Sequence, residues 1–364
     1  MIVHTPHPDL PPPSTSVGVI GWLRKNLFSS PINSLFTLAA IYLLYRTVPP
    51  VINWAILDAD WLGSTKDACT GDGACWVFIK VRFFQFMFGF YPPEQYWRVV
   101  VAFSLLGVLL AYLLIDRTPK KSWVAAFTIL IYPIIAFFLF YGGLGLPVVE
   151  TNDWGGLMLT LILSTIGMFV ALPFGIILAL GRRSAMPVPK ALSVMFIELW
   201  RGVPLITVLF MSSVMLPLFM PEDLHIDKLI RAFIGISMFQ SAYMAEVIRG
   251  GLQAMPKGQK EAADALGLGY WQAMFLIILP QALKTVIPGI VNTFIELFKD
   301  TTLVLIIGLL DLLAIIQAAF TDPKWIGFSV EGYVFAGLVY WIFCFSMSQY
   351  SQHLERKLHT GHKR

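Results

Sequence analysis

Ionisable side chains inside long apolar runs are the residues of this sequence best suited to chemistry. Glu198 and Arg201 stand three apart in one such run. Glu296, Lys299 and Asp300 share another, and Glu246 and Arg249 close a third. Spacings of three and four put each set on one face of a helix. A charge in hydrocarbon is costly, so these groups must face a protein interior or a cavity. Two roles fit. In the first, the charges pair and lock helices together, with Glu198–Arg201 and Glu296–Lys299 able to neutralise each other. In the second, some of them line a pathway for a zwitterion, which needs a cation for its carboxylate and an acid for its ammonium. Gly202 and Pro204 follow Arg201 and predict a broken helix, a feature that accompanies binding sites at mid-membrane. Arg201, Glu296 and Asp300 are therefore the candidate pathway residues. Glu246 and Arg249 lie at the end of their run and are expected to brace the segment that follows.

That segment reads "RGGLQAMPKGQKEAADALGLGYWQAMFLIILP", from Arg249 to Pro280. Gly250-Gly251 is expected to end the preceding span. After Pro256 a short helix is expected from about Lys257 to Leu266, because Glu261, Ala262, Ala263 and Ala265 are strong helix formers. Gly267 suits the position after a helix, where the backbone turns left-handed. A second helix then starts near Tyr270 and runs toward Pro280. The pattern is a helix–Gly–helix elbow, with small residues on one arm and Tyr270, Trp271, Met274 and Phe275 on the other. Two readings fit it: an ordinary amphipathic loop, or a knob small enough to enter a partner's groove.

The elements that hold these residues are membrane spans. The 364 residues are 57% hydrophobic and 13% charged, with a mean hydropathy of +0.72. A soluble domain carries about 25% charged residues. The chain is expected to be all-α and polytopic. A span needs about 20 apolar residues, which predicts about eight: 33–52, 97–115, 123–141, 156–180, 192–218, 229–248, 285–307 and 332–351. The run 308–320 is short and is expected to lie along the outer surface. The Pro-rich stretch 1–31 has neither the basic start nor the small-residue site of a cleavable signal; it is expected to be a disordered cytoplasmic tail. The net charge of +4 fits basic loops and gives no nucleic-acid footprint. No Cys/His cluster suggests a metal, and no GxxxxGK[ST] loop offers ATP hydrolysis.

Lys and Arg set the orientation. With the N-terminus inside, the inner segments hold Arg24, Lys25, Arg117, Lys120, Lys121, Arg182, Arg183, Lys190, Arg249, Lys257, Lys260, Arg356, Lys357, Lys363 and Arg364. The outer ones hold Lys66, Lys80, Arg82 and Lys324. Both termini and the elbow then face the cytoplasm. The outer loop 53–96 carries Cys69 and Cys75 in "CTGDGAC", either bridged in an oxidising compartment or left as two free thiols. Residues 32–150 form a region of three spans with that loop. Residues 151–364 form a five-span region containing the elbow loop 249–280.

The spacing Glu261-Ala262-Ala263, Gly267, Ile277, Leu279-Pro280 resembles the EAA loop of permease subunits of bacterial ABC importers. "FIELWRGVPL", "SAYMAEVIRGGLQAMPKGQKEAADALG" and "ELFKDTTL" resemble the signatures of the polar amino acid branch. This resemblance covers 151–364. The extra N-terminal spans look like those of the long, M-type permease of general L-amino acid importers in Gram-negative bacteria. The resemblance implies a five-helix type I importer core in the inner membrane. It also implies a periplasmic amino-acid-binding protein, a second permease that is a related chain, and a dimer of cytoplasmic ATPase subunits that bind ATP and Mg. The chain itself would carry no cofactor and would not be an enzyme. Glu261, Ala262, Ala263, Gly267, Leu268 and Gly269 would form the coupling elbow on which the ATPase acts to drive alternating access. An ion-coupled secondary transporter, or a permease for another small polar solute, is the alternative; secondary carriers usually show paired repeats, and the elbow has no second copy.

Overall fold

The computed structural model describes residues 18–358 except 70, 116–117 and 222–225. Residues 1–17 of the expected tail, and Arg117, Lys363 and Arg364 of the orientation argument, lie outside that set. By internal contacts the chain divides into two units, residues 1–77 and 78–364.

In the first unit, helix α1 spans Gly18–Asn26, so part of the stretch expected to be disordered is helical. Helix α2 spans Pro31–Ile52; the Ser30 hydroxyl caps it by accepting from the Asn33 N–H, and Pro31 takes the first turn, where no amide hydrogen is needed. The loop that follows is stitched by backbone bonds between Asp60 and Ala74 and between Trp76 and Asp60. Within it Cys69 and Cys75 are joined as a disulfide, their Cα atoms 5.6 Å apart.

The second unit opens with most of α3 (Trp76–Phe88), a helix inside the stretch expected to be a plain outer loop, 53–96. It is held by aromatic packing: Phe78 stacks near Trp325 and Phe328, and Phe86 near Phe335. Arg82 also pairs with Asp322. Helices α4 (Tyr96–Leu114), α5 (Lys121–Leu130) and α6 (Tyr132–Tyr141) follow. The expected third span is thus interrupted at Ile131, just ahead of Pro133. Fully buried Arg98 of α4 donates to the Tyr91 hydroxyl at 2.7 Å and to the Pro147 carbonyl at 2.9 Å. Tyr91 in turn donates to the Phe140 carbonyl at 2.8 Å. Burial is the leading cause that pushes the Tyr91 hydroxyl pKa up.

The central pair is α7 (Gly156–Arg182) and α10 (Lys228–Ala254), packed along their length. Their approach depends on small residues. A Cβ at Gly175 would stand 2.7 Å from Met244, and one at Gly167 would stand 3.3 Å from Ile236. Between them come α8 (Pro187–Gly202) and α9 (Leu205–Phe210). The chain bends by 103° where α8 gives way to the stretch 205–219, because Pro204 removes an amide hydrogen and extends Val203. This is the break anticipated at Arg201-Gly202-Pro204, although it divides the expected span 192–218.

Helix α10 continues past Gly250-Gly251 to Ala254, so the glycines do not end it. Gly251 serves packing instead: a Cβ there would stand 2.7 Å from the Ala282 carbonyl oxygen. Then come α11 (Lys257–Ala265), α12 (Tyr270–Ala273), α13 (Leu279–Thr285) and α14 (Ile287–Asp300). Helix α15 (Leu312–Thr321) is not a surface helix: Leu312, Ala314, Ile315, Ile316 and Ala319 are buried, and it packs on α7 and α16 (Ser329–Leu358).

By length and apolarity five stretches among the described residues qualify as spans, and up to seven do when each bent pair counts as one. The count of eight depends on the expected span 229–248. There α10 is long enough, but it carries Lys228, Arg231, Glu246 and Arg249 and buries Ser237, Gln240 and Ser241 against protein. The connector before residue 151 is not a boundary of packing. Val99, Tyr132 and Phe140 share one apolar core with Trp154, Leu159 and Leu163.

Candidate functional site

The elbow forms because its sequence satisfies every backbone demand of a sharp turn. Helix α11 ends in a Schellman motif: the Gly267 N–H donates to the Asp264 carbonyl at 3.0 Å, and the Leu268 N–H to the Ala263 carbonyl at 3.1 Å. Gly267 supplies the left-handed residue, with φ of 75°. The Gly269 N–H then donates to the Gln272 side chain at 3.0 Å and starts α12. A wider π-type turn at Met274–Ile278 leads into α13, where Pro280 needs no amide partner. The second arm therefore runs beyond Pro280 to Thr285. Gln281 ties the arms together by donating to the Gln259 side chain at 3.2 Å.

The elbow's surface has a definite chemistry. Ala263 is buried against the rest of the chain, whereas Glu261, Ala262, Gly267 and Gly269 are exposed and Leu268 is half-buried. Glu261 forms no ion pair among the described residues, although Lys260 and Asp264 pair on the same helix at 2.7 Å. That bond is the main cause raising the Lys260 ammonium above its ordinary pKa. The exposed face thus offers one free carboxylate among small residues.

Behind the elbow lies a charge cluster centred on Glu246. Its carboxylate receives Arg249 at 2.7 Å, Arg182 at 3.0 Å and Arg201 at 3.7 Å. Arg182 also donates to Glu198 at 2.9 Å. The expected local pairs give way to tertiary ones. Glu198 turns to Arg182 rather than Arg201, and no Glu296–Lys299 pair occurs among the described residues. The cluster joins α7, α8 and α10 about one turn above Gly250.

Glu296 and Asp300 meet at a cavity of about 280 Å³, lined also by Lys299 and by Phe239, Gln240 and Tyr243 of α10. The side-chain amide of buried Gln240 donates to the Thr293 carbonyl at 2.6 Å. Arg201 does not line this cavity. Its guanidinium sits over the Tyr243 ring, 5.5 Å from the centroid, so Tyr243 touches both the cavity and the cation. Phe239, Gln240 and Tyr243 were not anticipated. Their signal was a polar Gln on an apolar helix, with Tyr243 three residues and Phe239 one residue away.

The model of binding-protein-dependent transport system inner membrane components matches residues 171–360. The chain belongs to this family. It is 59% identical to the inner membrane amino-acid ABC transporter permease protein YhdY of Escherichia coli K12, over 98% of this chain and 97% of that one. It is 41% identical to the glutamate/glutamine/aspartate/asparagine transport system permease protein BztC of Rhodobacter capsulatus, over 97% and 96%. A crystal structure of an amino acid ABC transporter with histidines is 30% identical, with a TM-score of 0.50, covering 56% of this permease and 92% of that chain. The protein is thus a multi-pass inner-membrane permease subunit with a type I permease fold, a transporter component of the kind that works with ATPase and binding-protein partners.

Proposed function

We propose that this permease carries L-amino acids from periplasm to cytoplasm, driven by separate subunits that bind and hydrolyse ATP with Mg. The observation that carries the reading is the near full-length similarity to two permeases whose names state amino acid transport. In this reading the exposed face of α11, with Glu261, Ala262, Gly267, Leu268 and Gly269, enters a groove of the ATPase. Buried Ala263 fastens that helix to the permease. Closure of the ATPase dimer moves the elbow, and Glu246 with its three arginines passes the motion to α7, α8 and α10. The ATPase must contact the two permease states differently, or nucleotide could not shift their equilibrium.

The cavity on α10 and α14 receives the substrate. Two acids and one lysine leave it negative, which suits an ammonium; Arg201 and Lys299 offer cations for a carboxylate. The second permease of the pair is a related chain, both termini face the cytoplasm, and the bias of Lys and Arg supports that orientation. Co-expression with the ATPase and affinity purification tests the docking. The complex is expected intact with the wild-type elbow and lost with Glu261→Lys; undiminished recovery of the ATPase with Glu261→Lys contradicts it. Arg201→Ala should lower uptake and leave assembly unchanged, and uptake at the wild-type rate refutes its pathway role.

A further inference from the structure

A second cavity is lined by the elbow itself. It is a groove of about 760 Å³ between the end of α7, the start of α8 and the bulky arm of the elbow. Its walls are Ile177, Leu180, Pro189, Trp271 and Phe275, and Arg183 and Ser184 also line it. Ile177, Met186, Trp271 and Phe275 each leave more than half of their surface open.

The chemistry of the groove selects its occupant. Arg183 forms no ion pair among the described residues, whereas its neighbour Arg182 is held by Glu198 and Glu246. Among the described residues no carboxylate lines the groove. The groove therefore accepts an anionic group on Arg183 and an apolar tail beyond it, and offers no acid to pair with an ammonium. Its depth fits the same conclusion. Arg183 directly follows a 27-residue span, about 40 Å long, so it sits at the membrane–water boundary. Tyr270 and Trp271, exposed beside it, belong to the residue types that gather at that boundary. A basic pocket between helices at this depth is a site for acidic lipid headgroups.

We infer that this groove binds one anionic phospholipid, its phosphate on Arg183 and an acyl chain along Leu180, Ile177 and Phe275. The leaflet is the cytoplasmic one, a clause that rests on the orientation proposed above. Because Trp271 and Phe275 belong to the elbow's second arm, the lipid touches the same joint that the ATPase moves.

The test uses the intact transporter in nanodiscs of phosphatidylcholine doped with a photoactivatable phosphatidylglycerol. Crosslinks are expected in the peptides around Leu180 and Trp271–Phe275. Loss of one basic contact is worth about 1 kcal/mol, or about five-fold in occupancy, so Arg183→Gln should cut labelling about five-fold. Arg183→Lys should restore most of it, and Lys190→Gln, outside the groove, should change nothing. Equal labelling by a phosphatidylcholine probe, full labelling with Arg183→Gln, or labelling only after the ATPase is stripped away overturns the site. The orientation is checked separately with Lys257→Cys in a Cys344→Ser background. Reaction with an impermeant maleimide in intact cells would refute the orientation alone and leave the lipid site standing.

Discussion

Gly267 gives the sharpest test of the elbow, because its cost can be isolated. Its φ is 75°, and a Cβ built there meets nothing within 4 Å. A side chain at this position therefore clashes with no neighbour, and the whole penalty is that of the left-handed backbone, roughly 1–2 kcal/mol for an ordinary L-residue. Asn tolerates this conformation better than Ala, and β-branched Val tolerates it least. A substituted chain escapes the strain by opening the Schellman turn, which unravels the last turn of α11 just behind Glu261. The ATPase then binds only the fraction still folded, and the apparent affinity falls by that fraction. For a turn that is marginally stable in the free chain, a penalty of roughly 1–2 kcal/mol corresponds to a loss of up to about five- to thirty-fold. Titration of the purified permease in nanodiscs with ATPase subunit, read by light scattering or fluorescence, should rank Gly267 above Asn, Asn above Ala, and Ala above Val. Membrane insertion and thermal melting of the span region should be the same for all four. Equal ATPase affinity for Gly267→Val and the wild type, or equal losses for Asn and Val, refutes the account of the turn as the element that sets docking.

Glu246→Gln removes the shared carboxylate, leaving Arg182 with Glu198 but Arg201 and Arg249 without an ion pair; it should cost about 1–2 kcal/mol and lower the melting temperature, and an unchanged melt would show the cluster to be inert. Gly156 adopts φ of 63°, and a Cβ there would lie 2.3 Å from the Phe86 carbonyl oxygen, so Gly156→Ala should separate α3 from α7 and expose α3 to proteolysis. The Asp322 carboxyl is held below the usual aspartate range first by the N–H of Lys324 and also by Arg82. Its contribution is present above the ordinary aspartate pKa and is lost as pH falls through the depressed value. Protection of the 320–328 loop against hydrogen exchange, taken relative to the intrinsic rate at each pH, should fall on acidification in the wild type, and should be low and insensitive to pH over that range in Asp322→Asn. Cys69→Ser should loosen the small loop it closes, by about 2 kcal/mol on loop-entropy grounds, as read by proteolysis within residues 58–75, with uptake retained.

The elbow was legible in the sequence because its determinants are local. Pro256, the Ala-rich turn and Gly267 each fix their own backbone, and no distant partner is needed. The break after Arg201 was legible for the same reason. The ion pairs were not. Spacing offers only the partner three or four residues away, whereas Glu198 found Arg182 sixteen residues back, and Glu246 drew arginines from three helices. The acids of the cavity were visible as costly charges in an apolar run, but Tyr243 and Gln240 reach them only through the packing of α10 on α14. Helix α3 was missed because its 13 residues are too few to span and include Lys80 and Arg82; its burial comes from aromatic contacts with the far end of the chain. Helix α15 was misread because a short apolar run has the same composition whether it lies on a surface or in a core.

The central claim is that amino acid transport by this permease is powered by ATP through a partner at the elbow. Its most direct test is accumulation of radiolabelled L-amino acids in proteoliposomes containing the whole transporter, binding protein and ATP, with ionophores collapsing every ion gradient. The account predicts accumulation that requires ATP, survives the ionophores and is abolished by Glu261→Lys. Accumulation that follows an imposed ion gradient without ATP, or that is unchanged by Glu261→Lys, would contradict it.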